Sequence, residues 1–222
     1  ASGSHNFYTA PSGIGADSSA TPVKLMVIDA NSRISLSNRD AGTSNTVLGY
    51  QAGNLIASGD NYNVFIGHQV AVADMTNATQ NIGMGYQSLN GLTTGDSNVC
   101  IGSSSGYSLT TANKTIFIGH SAGGLVTVTG GSNVSDGTVG IGHQALAALT
   151  SGAGNTAVGY QAGTSITTNT NCTFVGYQAG MDADASNTSP ISCTYIGSRS
   201  GENIDDGTGG NTAVGYAALF GA

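Results

Sequence analysis

Five Lys or Arg stand against twelve Asp or Glu in the 222 residues, a formal net charge of −7. A chain so poor in basic side chains has no electrostatic footprint for nucleic acid or for an anionic membrane surface. It holds no run of 18 apolar residues, so no segment is expected to insert into a bilayer. Residues 1–30 contain no charged-plus-apolar secretory leader. Cysteine is scarce too, and three is an odd number, which argues against a disulfide framework. Tryptophan is absent, prolines number three and charged residues make up 8%, whereas glycines number 35. That balance alone would suit a disordered low-complexity chain. The ordered columns described next argue against it.

What the chain has is a repeat. The stretch Asn155-Thr156-Ala157-Val158-Gly159-Tyr160-Gln161-Ala162 has variants throughout, and aligning their glycines gives ten copies. We number them repeats 1 to 10, centred on Gly49, Gly67, Gly85, Gly102, Gly119, Gly142, Gly159, Gly176, Gly197 and Gly215. The spacing is 17 or 18 residues, with two longer gaps of 23 and 21. A period near 20 residues means stacked structural units.

The residue before each glycine is aliphatic in all ten copies, from Leu48 to Val214, and the residue two places earlier is always β-branched, from Thr46 to Thr212. Alternate residues of a strand share a face, and β-branched side chains favour the pleat. These two columns are expected to be the buried face of a short strand. The column between them (Val47, Phe65, Gly83, Cys100, Phe117, Gly140, Ala157, Phe174, Tyr195, Ala213) is mixed in size and is expected to point outward. Three places after the glycine stands a small residue in nine copies, with Val70 the exception. Seven places after it an aliphatic recurs in seven of the nine complete units, with Asp74 and Ala183 breaking the column.

Each unit therefore reads as one coil of a parallel β-solenoid: strand, tight glycine turn, a second inward anchor, and a return loop rich in Gly, Ser, Thr, Asn and Asp. One coil cannot bury its own apolar strip, so stacking on equivalent coils is required. The fold class is all-β, a parallel β-solenoid or β-roll of about ten coils. Residues 1–5 look like an expression-tag scar, so His5 is assigned no role. Residues 6–40 are expected to hold an irregular lead-in to residue 22 and then a hairpin, Val23 to Asp29 against Arg33 to Ser37, able to cap the first coil. Residues 41–222 are the solenoid.

The Asn-Thr-Ala-Val-Gly-Tyr-Gln-Ala pattern, near-verbatim at 45–52, 155–162, 172–179 and 211–218, resembles the repeats of bacteriophage tail fibres. More distantly it resembles the β-roll heads of trimeric autotransporter adhesins. With its looser copies the resemblance covers about four fifths of the chain. It implies a parallel homotrimer, intertwined or side by side, often followed by an intramolecular chaperone that cleaves itself off, which would explain a chain stopping just after its last motif. It also implies a virion, extracellular location, partners among other tail proteins, and a host-surface glycan or protein receptor. The missing leader fits a virion component and equally a recombinant fragment. A bacterial surface adhesin with the same rod and a polysaccharide depolymerase spike are the alternatives. No catalytic motif and no cofactor-binding motif is found, and an enzyme is not expected.

Candidate sites lie on the same lattice. The position after the glycine holds Tyr50, Tyr86, Tyr160, Tyr177 and Tyr216, alternating with His68, His120 and His143 and with Ser103 and Ser198. Three histidines meeting near a trimer axis could bind a transition metal, yet no second ligand type keeps a fixed spacing to them, and Tyr and His as interchangeable packing residues is the simpler reading. Asp182 and Asp184, then Glu202, Asp205 and Asp206, gather in consecutive return loops; stacked carboxylates could hold calcium or hydrolyse a glycosidic bond, and solvated loops are the plain alternative. The weak metal candidates are Asp182, Asp184, Asp205 and Asp206. Cys172 and Cys193 share a column in successive coils, within disulfide range, but parallel side chains point the same way and buried free thiols are expected. Thr93-Thr94, Thr110-Thr111 and Thr167-Thr168 recur in too few loops for a flat ice-binding face. Binding, if present, is expected on the two long loops, Gly123 to Asp136 and Met181 to Ser192, since rigid scaffolds present their contacts on loops.

Overall fold

In the computed structural model, the three residues before each central glycine form a strand in every repeat. Ten strands, from β4 (Thr46–Leu48) to β13 (Thr212–Val214), lie side by side in sequence order as one parallel sheet. The structure describes residues 5–9, 23–28, 34–36, 42–126, 136–183, 192–204 and 210–221. Pairing is in register throughout: Thr46 faces Val64, Val47 faces Phe65 and Leu48 faces Ile66, and the equivalent trios match down the ladder. At about 4.8 Å per strand the ladder runs about 43 Å. The all-β solenoid expected from the period is present, and no helix occurs among the described residues.

The chain divides into two compact units, residues 1–40 and 41–222. In the first, β1 (His5–Thr9), β2 (Val23–Ile28) and β3 (Ile34–Leu36) form an antiparallel sheet in that order. The expected hairpin is there, with Met26 opposite Leu36 and Ile28 opposite Ile34. The lead-in is less irregular than the sequence suggested. His5, set aside as tag, opens β1 and pairs with Ile28, and residues 6–9 continue that strand. The five residues His5-Asn6-Phe7-Tyr8-Thr9 show no clear period-2 alternation and are too short a signal to reveal a strand whose partner lies some 20 residues away.

The central glycine determines how closely repeats approach. Gly85 has φ +132°, and a Cβ placed on it would sit 2.7 Å from the carbonyl of Gly102 in the next repeat. No side chain fits there, so the invariance is steric. The turn continues with a left-handed residue two places on, such as Gln87 at φ 54° or Ser104 at φ 55°. The amide three places after the glycine closes back on the glycine carbonyl, as Ala162 does on Gly159 at 3.3 Å.

The sequence reading assigned the strand faces the wrong way round for the single chain. It is the mixed column that is buried: Phe65, Cys100, Phe117, Ala157 and Tyr195 have no exposed surface, and Val47 and Ala213 at the two ends little. The uniform aliphatic column is on the outside, with Met84, Ile101, Ile141, Val158, Val175 and Ile196 all between 36% and 39% exposed. The reason is packing complementarity. A Cβ on Gly140 would lie 2.9 Å from Phe117, and one on Gly83 would lie 2.7 Å from Val70 and 3.3 Å from Phe65. Large rings spread over the small residue of the adjoining repeat, so the interior column varies because its members fill one shared volume.

The remaining inward positions are as expected. Ala52, Ser88, Ser105, Ala122, Ala145, Ala162, Ala179 and Ser200 are buried, and Ile56, Leu92, Leu109, Val126, Leu149, Ile166 and Ile204 fill the second anchor. Ala183 occupies that anchor too, despite its size, and where exposed Asp74 would break it the next residue, Met75, is buried instead.

A further inward column is polar. Four places before the glycine stand Asn63, Asn81, Asn98, Thr115, Thr138 and Asn155, all buried. Each asparagine Oδ1 accepts the amide of its equivalent in the next repeat: Asn81 from Asn98 at 3.0 Å, Asn98 from Thr115 at 3.0 Å, Asn155 from Cys172 at 2.9 Å. Each Nδ2 donates to a return-loop carbonyl, Asn81 to Gly95 at 2.8 Å and Asn98 to Ala112 at 2.8 Å. The amides thus satisfy backbone groups that the three-residue strands leave behind.

Two substitutions test this core. Phe117→Ala is expected to lower the unfolding free energy by about 3–5 kcal/mol, the range for emptying a buried aromatic site. Asn81→Ala is expected to cost about 1–3 kcal/mol by stranding buried partners. Urea denaturation measures both, and a change under 0.5 kcal/mol for either would remove its column from the core.

Candidate functional site: the outer ladders and a groove across the repeats

Because the repeats pair in register, each outward column becomes a continuous ladder of like side chains. Three run side by side. The first is the aliphatic ladder, flanked by the β-branched column of Val64, Ile82, Val99, Ile116 and their equivalents, half-buried except for the exposed Thr46 and Thr212 at the two ends. None of the residues in these two columns is charged.

The second ladder stacks rings. Tyr50 lies 5.1 Å from His68, which lies 5.4 Å from Tyr86. After the break at Ser103, His120, His143, Tyr160 and Tyr177 form a second stack with centroids 5.0 to 5.4 Å apart and planes within 13° of parallel. Each histidine is placed between or against other rings, which is the packing role weighed in the sequence. Among the described residues no group of three or more His, Cys, Asp or Glu is gathered in a way that could hold a metal.

The third ladder joins amides. The Gln69 Nε2 donates to Gln51 Oε1 at 3.0 Å and that of Gln87 to Gln69 at 3.2 Å. After Ser104 and Ser121 it resumes, Gln161 donating to Gln144 and Gln178 to Gln161, both at 3.0 Å. At the interruption a groove of about 610 Å³ crosses the repeats, lined by residues that include Gln87, Ser104, Tyr107, Ser121, Leu125 and Gln144.

The other candidates fall as follows. Asp182 accepts the Ser165 hydroxyl at 2.7 Å, while Asp184, Asp205 and Asp206 lie outside the described residues. Glu202 forms an ion pair with Arg199, whose Nε lies 2.5 Å from its Oε2. Arg199 also covers the Phe220 ring at 4.7 Å. Of the long loops, residues 123–126 and 181–183 still follow the regular coil. Asp136 rejoins it by accepting the Asn113 amide at 2.7 Å. The loop tips, 127–135 and 184–191, lie outside the described residues. Thr93 of the threonine pairs donates its hydroxyl to the Thr110 carbonyl at 3.1 Å.

The three cysteines are buried, and none is in a disulfide. Cys172 and Cys193 continue the asparagine ladder, the Cys193 amide donating to the Cys172 sulfur at 3.4 Å. Hydrogen bonding with Cys172 pulls the Cys193 thiol down, against the opposing effect of burial. Burial pushes the Cys100 thiol up to about 12. The groove and the asparagine ladder were the features that sequence reasoning missed. The asparagine signal was available, as a polar column nearly as strict as the aliphatic one, whereas the groove needed neighbouring columns to be superposed.

Among the described residues no helix is long and apolar enough to cross a membrane. Comparison with protein-family models, curated proteins and solved structures finds no match for this chain.

The Cys100 environment carries a pH prediction. The thiol is held neutral in the fold, so stability is unaffected below the ordinary thiol range and falls as pH rises from about 9 toward about 12, where only the unfolded chain gains by ionising. Cys100→Ala should lose that component of alkaline destabilisation. Denaturation midpoints of the two proteins at pH 8 and pH 11 check it: the gap between them should narrow at the higher pH.

Proposed function

We propose that this chain is a structural segment of a bacteriophage tail or virion fibre, a parallel homotrimer bound to other tail proteins that also contributes to host attachment. The observation that carries the reading is the outward aliphatic ladder. All ten positions are aliphatic, and most remain more than a third exposed in the single chain. Solvent imposes no such uniformity on a surface column, whereas a partner of repeating structure does.

With its β-branched neighbour the ladder forms an uncharged stripe about 43 Å long and about 10 Å wide, the length of a three-residue strand. An area of about 430 Å² is within the range of the largest apolar patches on monomeric proteins and about half of the roughly 800 Å² per partner of a standard interface. The partner proposed is further copies of the chain, three in all as the tail-fibre resemblance implies. Copies running in parallel present the same 4.8 Å repeat to one another, so side chains interdigitate along the full length. The stacked Tyr and His rings flank this stripe, apolar in body and polar at the tip, as suits an interface rim.

The test is sedimentation equilibrium at micromolar concentration. The protein is expected at three times the 21.9 kDa chain mass, and Ile141→Asp, which would bury an uncompensated charge between copies, is expected at the single-chain mass with its strand signal in circular dichroism retained. A folded wild-type monomer would overturn the proposal. So would an Ile141→Asp protein that still assembles.

A further inference from the structure

We propose that the groove across repeats 3 to 7 is a binding site for a neutral saccharide. The inference deepens the attachment part of the reading above and rests on the interruption of the glutamine ladder. In repeats 1 to 3 and 6 to 8 the second residue after the glycine is glutamine; in repeats 4 and 5 it is Ser104 and Ser121. Two short side chains in a row leave a notch whose ends are amides. Three strand spacings separate Gln87 from Gln144, about 14 Å, enough for a short chain of sugar rings rather than one.

The polarity of the ladder makes the two ends different. Within each run, every glutamine after the first donates its Nε2 to the Oε1 of the preceding repeat. Gln87 therefore has an Oε1 that receives no donor from repeat 4, and Gln144 has an Nε2 with no acceptor in repeat 5. One end of the groove accepts a hydrogen bond and the other donates one, while Ser104 and Ser121 place hydroxyls between them. Sugar hydroxyls both donate and accept, so a single ligand type satisfies both ends. The exposed Tyr107 ring and Leu125 supply apolar surface for the C–H face of a pyranose. Among the described residues no charged side chain lines the groove, which selects against acidic glycans, since a carboxylate would lose water without gaining a counter-charge. The volume of about 610 Å³ is within the range of small-molecule sites.

The repeat supplies a conservative way to close the groove. Ser104 and Ser121 have φ 55°, as Gln144 does, and glutamine occupies this position in six other repeats. The double variant Ser104→Gln/Ser121→Gln should fold normally, continue the amide ladder and fill the notch. Tyr107→Ala removes the ring alone. The probe is a panel of neutral di- to tetrasaccharides of glucose, galactose, mannose and N-acetylglucosamine, with uronic-acid oligosaccharides as the charged counterpart, titrated into the assembled protein and followed by calorimetry. At least one neutral sugar is expected to bind, with affinity reduced tenfold or more in each variant and no preference for the acidic set. Absence of binding across the neutral panel, or equal binding by the double variant, would overturn the proposal. A changed sedimentation mass of the double variant would also overturn it, because the groove would then be covered by another copy. The sedimentation of Ile141→Asp reports on the fibre reading separately, so either can fail without the other.

Discussion

The stacking of one glycine turn directly on the next is the constraint from which the rest of this structure follows. A glycine whose Cβ position is occupied by the carbonyl of the following repeat sets both the spacing and the register of the ladder. With register set there, three-residue strands suffice, although strands so short would specify little alone. In-register stacking then multiplies each side-chain choice along the axis: rings stack on rings, glutamines bond to glutamines, and buried asparagines pass a hydrogen bond from repeat to repeat. Each contact is modest, and their number makes the stack cohesive in the manner of repeat proteins generally, where stability is a sum over neighbours.

The same logic explains how the chain folds with so few charges and no disulfide. Its polar interior is satisfied by amides and hydroxyls that bond to main chain: Ser88 to the Cys100 carbonyl at 2.9 Å, Ser105 to the Phe117 carbonyl at 2.7 Å, Asn98 to Ala112. Neutral hydrogen bonds avoid the desolvation cost of buried ions; the fully buried Asp60 side chain is an exception, accepting the Ala57 and Ala78 amides at 2.7 Å and 2.9 Å. The one ion pair between described side chains, Arg199 with Glu202, lies in repeat 9, where Arg199 also stacks on Phe220 from repeat 10.

A solenoid of this kind has two sorts of surface. Columns that repeat without change form flat uniform faces suited to another repeating object, and the aliphatic ladder is the clearest of these. Departures from a column create local relief. The Ser104 and Ser121 interruption is one such place. Self-association and recognition of a smaller ligand can therefore occupy one chain without competing for the same residues.

The sequence by itself determined the fold class, the number and spacing of the ten solenoid strands and the glycine turn, because each follows from a strictly periodic local pattern. It also marked the second anchor and the small residues that approach the backbone. It did not determine which strand face is the core. Period-2 alternation says that Phe117 and Ile118 point opposite ways and is silent on which way is inward, and uniform apolarity is an unreliable guide when a second chain can bury the outer face. Only the tertiary structure decided that, by bringing Phe117 over Gly140 and Phe65 beside Gly83, where volumes compensate across repeats. The groove was undecided in the sequence for a related reason. Serines at 104 and 121 mean little singly, and become the floor of a site only when stacking places them between the unmatched amides of Gln87 and Gln144.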